Sequence, residues 1–219
     1  AIQGGLVPAY AILASNVFAV TAAFGVLQRS AALEQLEAGL VKVGNVAGRN
    51  LPLISRELQN ITNFAISSET AMRATALATS SGFSSSQLMD LTRVAKGASL
   101  ALGRNLPDAL DRLVRGTAKL EPEILDELGI LVRIDDATRD YAAELGKTAN
   151  QLTAFQRQQA FLNATIEQGQ KKFKLITKDI PVNEFDRLAA TFSDASQALL
   201  KFVNDGLEPL VRILAESPA

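Results

Sequence analysis

The sequence predicts a mostly α protein. Long heptad-patterned helices flank a small helical domain with one short strand, and the whole assembles as an oligomer. Three observations predict this. The chain has 219 residues, 47% hydrophobic yet only 5% aromatic, so a sizeable core must be built from aliphatic side chains. Apolar residues recur at alternating short spacings over several stretches, which keeps one stripe of a helix toward a partner. Ser/Thr-x-x-Gln pairs, Asn-x-Pro steps and single glycines punctuate the chain where helices should start and stop.

The first segment carries no charge from Ala1 to Gln28; the first charged residue is Arg29. As a helix, Leu6 to Leu27 would span roughly 33 Å, close to the ~30 Å hydrocarbon core of a bilayer. Pro8 suits a first helical turn. Ala11, Ser15, Ala19 and Ala23 line up as one small-residue stripe, which lets helix backbones approach closely in lipid or in a packed bundle. Two readings stay open: a helix buried inside an oligomer, or a segment that enters a membrane at some stage. The missing basic flank argues against a secretory signal. The chain opens on Ala1 rather than Met, as expected of a piece of a longer protein or of a processed form.

Heptad-like spacing follows. Leu33, Leu36, Leu40, Val43 and Ala47 form a first seam. After the Asn50-Leu51-Pro52 break, Leu51, Ile54, Leu58, Ile61, Ala65, Ser68 and Met72 continue the rhythm on one second helix. Ser80-Ser81-Gly82 ends it. Ser84 with Gln87 is a capping box opening a helix to about Leu102, which Gly103 stops. Asn105-Leu106-Pro107-Asp108 opens the next, with Pro in the first turn and Asp at the positive end of the dipole. Glu121-Pro122-Glu123 begins a short helix closed by Gly129.

Ile130-Leu131-Val132-Arg133-Ile134, β-branched and bounded by Gly and Asp, is the strand candidate. Asp135 or Asp136 should cap a helix that carries Tyr141 and ends at Gly146. Thr153 with Gln156 is a second capping box, starting a long helix to about Ile176. Beyond Ile180-Pro181, a last seam comprises Phe185, Leu188, Phe192, Ala195, Leu199 and Phe202, broken by Gly206 and Pro209. Each seam suits an intramolecular hairpin as well as self-association. The chain thus divides into an apolar, charge-free helix at 1–28, heptad-patterned helices at 29–79, a small helical domain at 80–150, and long helices with a coiled-coil-like seam at 151–219.

Composition narrows the chemistry. With no Cys and no His, disulfides, thiolate or imidazole metal sites and His-based triads are excluded. A formal net charge of −1 gives no electrostatic reason to wrap nucleic acid. Glu121, Glu123, Asp126 and Glu127 are the densest acidic cluster. Carboxylate pairs can divide acid and base roles, but around a helix start they serve the dipole. Asp135, Asp136 and Asp140 lack the ligand spacing of a calcium loop. Lys171, Lys172, Lys174 and Lys178 spread around a helix, read as a solvated face, with contact to DNA or anionic lipid head groups as the alternative. Phosphate-binding glycine loops and nucleophile elbows are absent from the sequence. The expectation is a structural protein without cofactor, metal or catalytic residues.

A succession of motifs resembles the tail tape measure proteins of long-tailed bacteriophages. It consists of Gly103 to Ala109 (GRNLPDA), Asp126 to Ile130 (DELGI), a short extended segment, Tyr141 to Lys147 (YAAELGK) and Leu152 to Asn163. The downstream run Phe185 to Phe192 and the terminal Leu-Glu-Pro-Leu are also similar. The resemblance implies a region of a protein that fixes tail length while lying in the tail tube lumen or tip. Release at infection would then assist DNA passage through the host envelope. It further implies self-association as a trimer, tail tube and tip or baseplate hub proteins as partners, and contact with the host inner membrane. DNA would pass without sequence-specific binding, and the location would be the virion and, during infection, the host envelope. The oligomer seam would use Leu33, Leu36, Leu40, Val43, Phe185, Leu188, Phe192, Leu199 and Phe202. A different reading of the same residues is a membrane-active pore-forming or translocation protein acting through Leu6–Leu27.

Overall fold

The computed structural model describes residues 31–174, 176, 187–198 and 201. The expectations for Leu6–Leu27 with its Ala11, Ser15, Ala19 and Ala23 stripe, for Phe185, Leu199 and Phe202, and for the breaks at Pro181 and Gly206 lie outside these residues. The protein is mostly α-helical and divides into two compact units, 1–38 with 195–219, and 39–194. In the first unit, residues 31–38, 195–198 and 201 are helical.

The second unit receives residues 39–47 of helix α1 (31–47) and residues 187–194 of helix α9 (187–198). Between them come α2 (Leu51–Ile61), α3 (Ser68–Ser80), α4 (Ser85–Leu102), α5 (Leu106–Lys119), the short α6 (Pro122–Asp126), α7 (Ile134–Glu144), a 3₁₀ turn (Ala149–Gln151) and α8 (Ala154–Phe173). α4 is the hub, packed on α2, α5 and α8; α5 also touches α3, α6 and α8, and α7 lies on α8. One core runs from Leu58 through Leu91, Leu110 and Ile130 to Phe173, so it draws on segments 29–79, 80–150 and 151–219 alike.

Local chemistry accounts for most boundaries. Asn50 Oδ1 accepts the Leu53 N–H at 3.0 Å, with Pro52 in the first turn of α2. Both reciprocal bonds of the Ser84/Gln87 box form, at 3.1 and 2.9 Å, and the Thr153/Gln156 box repeats them at 3.2 and 3.0 Å. Gly103 ends α4 in the left-handed region at φ 62°, a conformation that costs other residues energy because of Cβ.

Three expectations need correction. The rhythm from Leu51 to Met72 is two helices, not one. α2 stops at Ile61, and Asn63 and Phe64 take left-handed φ of 53° and 58°, turning the chain so that Ala65 and Ile66 drop into the core. Ser67 Oγ then caps α3 by accepting the Thr70 N–H at 3.2 Å.

The strand expected at Ile130–Ile134 does not form. Ile130 and Val132 are buried and Leu131 is exposed, as in a strand, but no strand exists among the described residues to supply a ladder. Helices cover the apolar side chains instead, and Ile134 begins α7. The N-cap of α7 is Arg133, with Asp135 and Asp136 inside the first turn, where their charge faces the dipole.

Two features set how tightly the bundle closes. At the α4–α8 crossing a Cβ on Gly169 would lie 2.3 Å from Val94 Cγ1, so only glycine lets the two backbones approach this closely. The buried polar side chains among the described residues are all Ser or Thr. Thr75, Thr92, Thr117 and Thr165 donate to the carbonyl one turn earlier, which satisfies each donor within its own helix, and Thr75 also accepts from Ser55 across to α2 at 3.1 Å.

Candidate interaction surfaces

The motifs behind the resemblance fold into turns and anchors. Gly103 terminates α4, Asn105 Oδ1 caps α5 by accepting the Asp108 N–H at 3.1 Å, and Ala109 is fully buried. In the next motif Gly129 turns at φ 68° between the buried Leu128 and Ile130. Gly146 closes α7 at φ 65°, and the Lys147 N–H returns to the Ala142 carbonyl at 2.8 Å. Leu152 is buried just ahead of the Thr153 cap. Each position is explained by backbone geometry or packing.

Charge is organised on the surface around α5. Arg112 contacts Asp108 at 2.9 Å and Glu127 at 2.7 Å, while Arg104 reaches the same two carboxylates at 3.6 and 3.4 Å. This ring ties the start of α5 to the turn after α6. The Asp108 hydrogen bond, with both carboxylates nearby, holds the Arg112 guanidinium above its ordinary pKa. Glu127 therefore works as an ion-pair partner. In the Asp135/Asp136/Asp140 group, Arg139 contacts Asp136 at 2.7 Å and Asp140 at 3.8 Å. Lys172 donates to the Gly129 carbonyl at 2.6 Å, and Lys171 is exposed.

Lys96 donates to the Ile61 carbonyl at the end of α2, 3.1 Å away, and burial pushes its pKa below 10.5. Among the described residues no group of His, Cys, Asp or Glu could hold a metal ion. No described helix is long and apolar enough to cross a membrane.

Exposed apolar side chains mark two places. At the α1–α2 corner, Val41 and Pro52 line an open groove floored by Gly44, and Val46 stands 93% exposed beside it. A Cβ on Gly44 would meet the Arg49 carbonyl at 2.5 Å. Arg49 fixes this corner by donating to the Phe83 carbonyl at 2.7 Å. Of the first seam, Leu40 is buried, Leu33 and Leu36 are half-buried, and Val43 is exposed.

The second place is α9, where Leu188 and Phe192 are 65% and 75% exposed. Four residues apart, they share one face of the helix. The opposite face packs within the second unit: Ala190 is buried, and Asp194 accepts from the Ser68 N–H at 2.8 Å and from Gln59 Nε2 at 3.2 Å. Asp194, Gln59 and the Arg104–Arg112 ring went unmarked in the sequence. Asp194 meets Ser68 and Gln59 from far along the chain, and in the ring the Glu127 contacts span α6, while the Asp108 pairs are local i,i+4 contacts. No protein-family model and no solved structure matches this chain.

Proposed function

We propose that this chain is a structural region of a bacteriophage tail tape measure protein. It would occupy the tail tube lumen or tip as a parallel homotrimer, leave at infection, and assist DNA passage through the host envelope without acting as an enzyme. What supports the reading is the ordered succession of motifs from Gly103 to Asn163. Each motif falls on a capped turn or core anchor of one helical body, as a shared scaffold would require.

The trimer would use the outward face of α9. Leu188 and Phe192 are exposed large apolar residues in heptad register, and an exposed apolar patch marks an interaction site. The Leu33, Leu36, Leu40 and Val43 seam is the second candidate contact. The charge-free start, Leu6–Leu27, supports a contribution to membrane passage in the same protein.

Light scattering on the full chain, without and with detergent, tests the assembly. A soluble trimer without detergent that becomes monomeric after Leu188→Asp with Phe192→Asp agrees with the proposal. An unchanged mass removes the α9 seam. Aggregates that become monomers only in detergent would favour a membrane-active protein. In purified tails, the chain should be protected from protease until ejection is triggered; its absence from tails would end the reading.

A further inference from the structure

Within the second unit, residues 187–194 of α9 pack through small side chains. Of the described residues 187–194, Ala190 alone is buried, while Leu188 and Phe192 turn outward. A cavity of about 170 Å³ remains between Ala190 and Ser193 on α9 and Ser67, Thr70 and Pro107 below. Hydrophobic stabilisation follows the apolar area removed from water, so this contact gains little from burial. The continuous core of the unit contains no α9 residue.

A polar anchor takes the place of apolar packing. Asp194 Oδ1 accepts the N–H of Ser68, the first residue of α3, and Oδ2 accepts from Gln59 Nε2. The first N–H groups of a helix have no acceptor within it, and a carboxylate there also meets the positive end of the dipole. Gln59 Nε2 donates as well to the Ile66 carbonyl at 3.3 Å. The latch therefore sits on the turn that joins α2 to α3.

We infer that α9 is a strap latched by Asp194, which opens from the α2–α3 turn while α2 to α8 stay folded. The inference holds for a single copy and does not rest on the tail reading. Opening exchanges the Asp194 hydrogen bonds for solvent and leaves the outward Leu188–Phe192 face unchanged in composition.

Residue-resolved hydrogen exchange on the full chain tests it, because Asp194 is the acceptor for the Ser68 amide. In the wild type, Ser68 should be protected, but about 100-fold or more below the Leu91–Ala95 amides of α4, as a local rather than global opening requires. Asp194→Ala should return Ser68 to the rate of a free peptide and leave α4 unchanged, with Asp194→Asn falling between. The strap is overturned if Ser68 is as protected as α4, since α9 then opens only with the whole unit. The latch is overturned if Ser68 is unprotected in the wild type or unaffected by Asp194→Ala. Self-association through the outward face would alter the scattering mass without moving the Ser68 rate, so the two proposals fail separately.

Discussion

Gly169→Ala is the sharpest test of how the bundle closes. An ideal Cβ at this position would lie 2.3 Å from Val94 Cγ1, 2.9 Å from Cγ2 and 3.2 Å from Cβ. Unstrained carbon contacts sit near 3.5–4.0 Å. Val94 is 2% exposed and stiff at χ1, so the clash must be relieved by parting α4 from α8. Overpacking of this kind costs about 1–3 kcal/mol, against a gain of about 1 kcal/mol for replacing glycine in a helix interior. The expected net loss is about 0–2 kcal/mol. Val94→Ala alone should cost about 2 kcal/mol, through two lost methyl groups and the space they leave.

Together the two changes should interact. With the Val94 methyls gone, the new methyl on residue 169 partly fills their space, and the double variant should be more stable than the sum of the singles by at least ~1 kcal/mol. The chain has no Trp, so urea unfolding is best followed by far-UV circular dichroism. If Gly169→Ala raises the midpoint by its full helix-propensity gain, or the double variant is simply additive, α4 and α8 are not in contact at this glycine.

Gly44→Ala places a Cβ 2.5 Å from the Arg49 carbonyl, and should lower stability by about 1–3 kcal/mol; urea unfolding would show it. Thr92→Val removes a hydroxyl bonded only within its own helix, to the Leu88 carbonyl at 2.8 Å. That carbonyl keeps its backbone donor, so the change should stay within about 1 kcal/mol, and a larger loss would point to a tertiary partner for Thr92. For Lys96, burial lowers the folded pKa below 10.5, so the folded state binds fewer protons than the unfolded one between the two values. Stability from this group therefore rises with pH across that window. Comparing urea midpoints of wild type and Lys96→Met along a pH series should show the wild type gaining on the variant toward the upper end. A constant difference would exclude the effect.

Helix ends were legible where the signal is local. Ser84 with Gln87, Thr153 with Gln156, and Asn105 with Pro107 each act within one turn, so the sequence carries the whole interaction. The break between α2 and α3 was hidden because Asn63 and Phe64 adopt left-handed backbone without a glycine or proline to announce it, while the apolar rhythm runs on through Ala65 and Met72. Ile130–Ile134 read as a strand because the run is β-branched and bounded by Gly and Asp. A ladder needs a second strand that no local pattern can promise. The Arg104–Arg112 ring joins residues on either side of α6, and Asp194 meets Ser68 126 positions away.

By itself, then, the sequence determined a helical chain without thiol or imidazole chemistry, its capped boundaries and its apolar rhythms, because composition and short-range hydrogen bonding need no folded context. The tertiary structure decided which stripe faces inward. On α9 the heptad residues Leu188 and Phe192 stay outside while Ala190 and Asp194 dock. A rhythm defines a face, but the shape and charge of the surface it meets choose the side that is buried, and here the Ser68 N–H at the start of α3 selects the carboxylate.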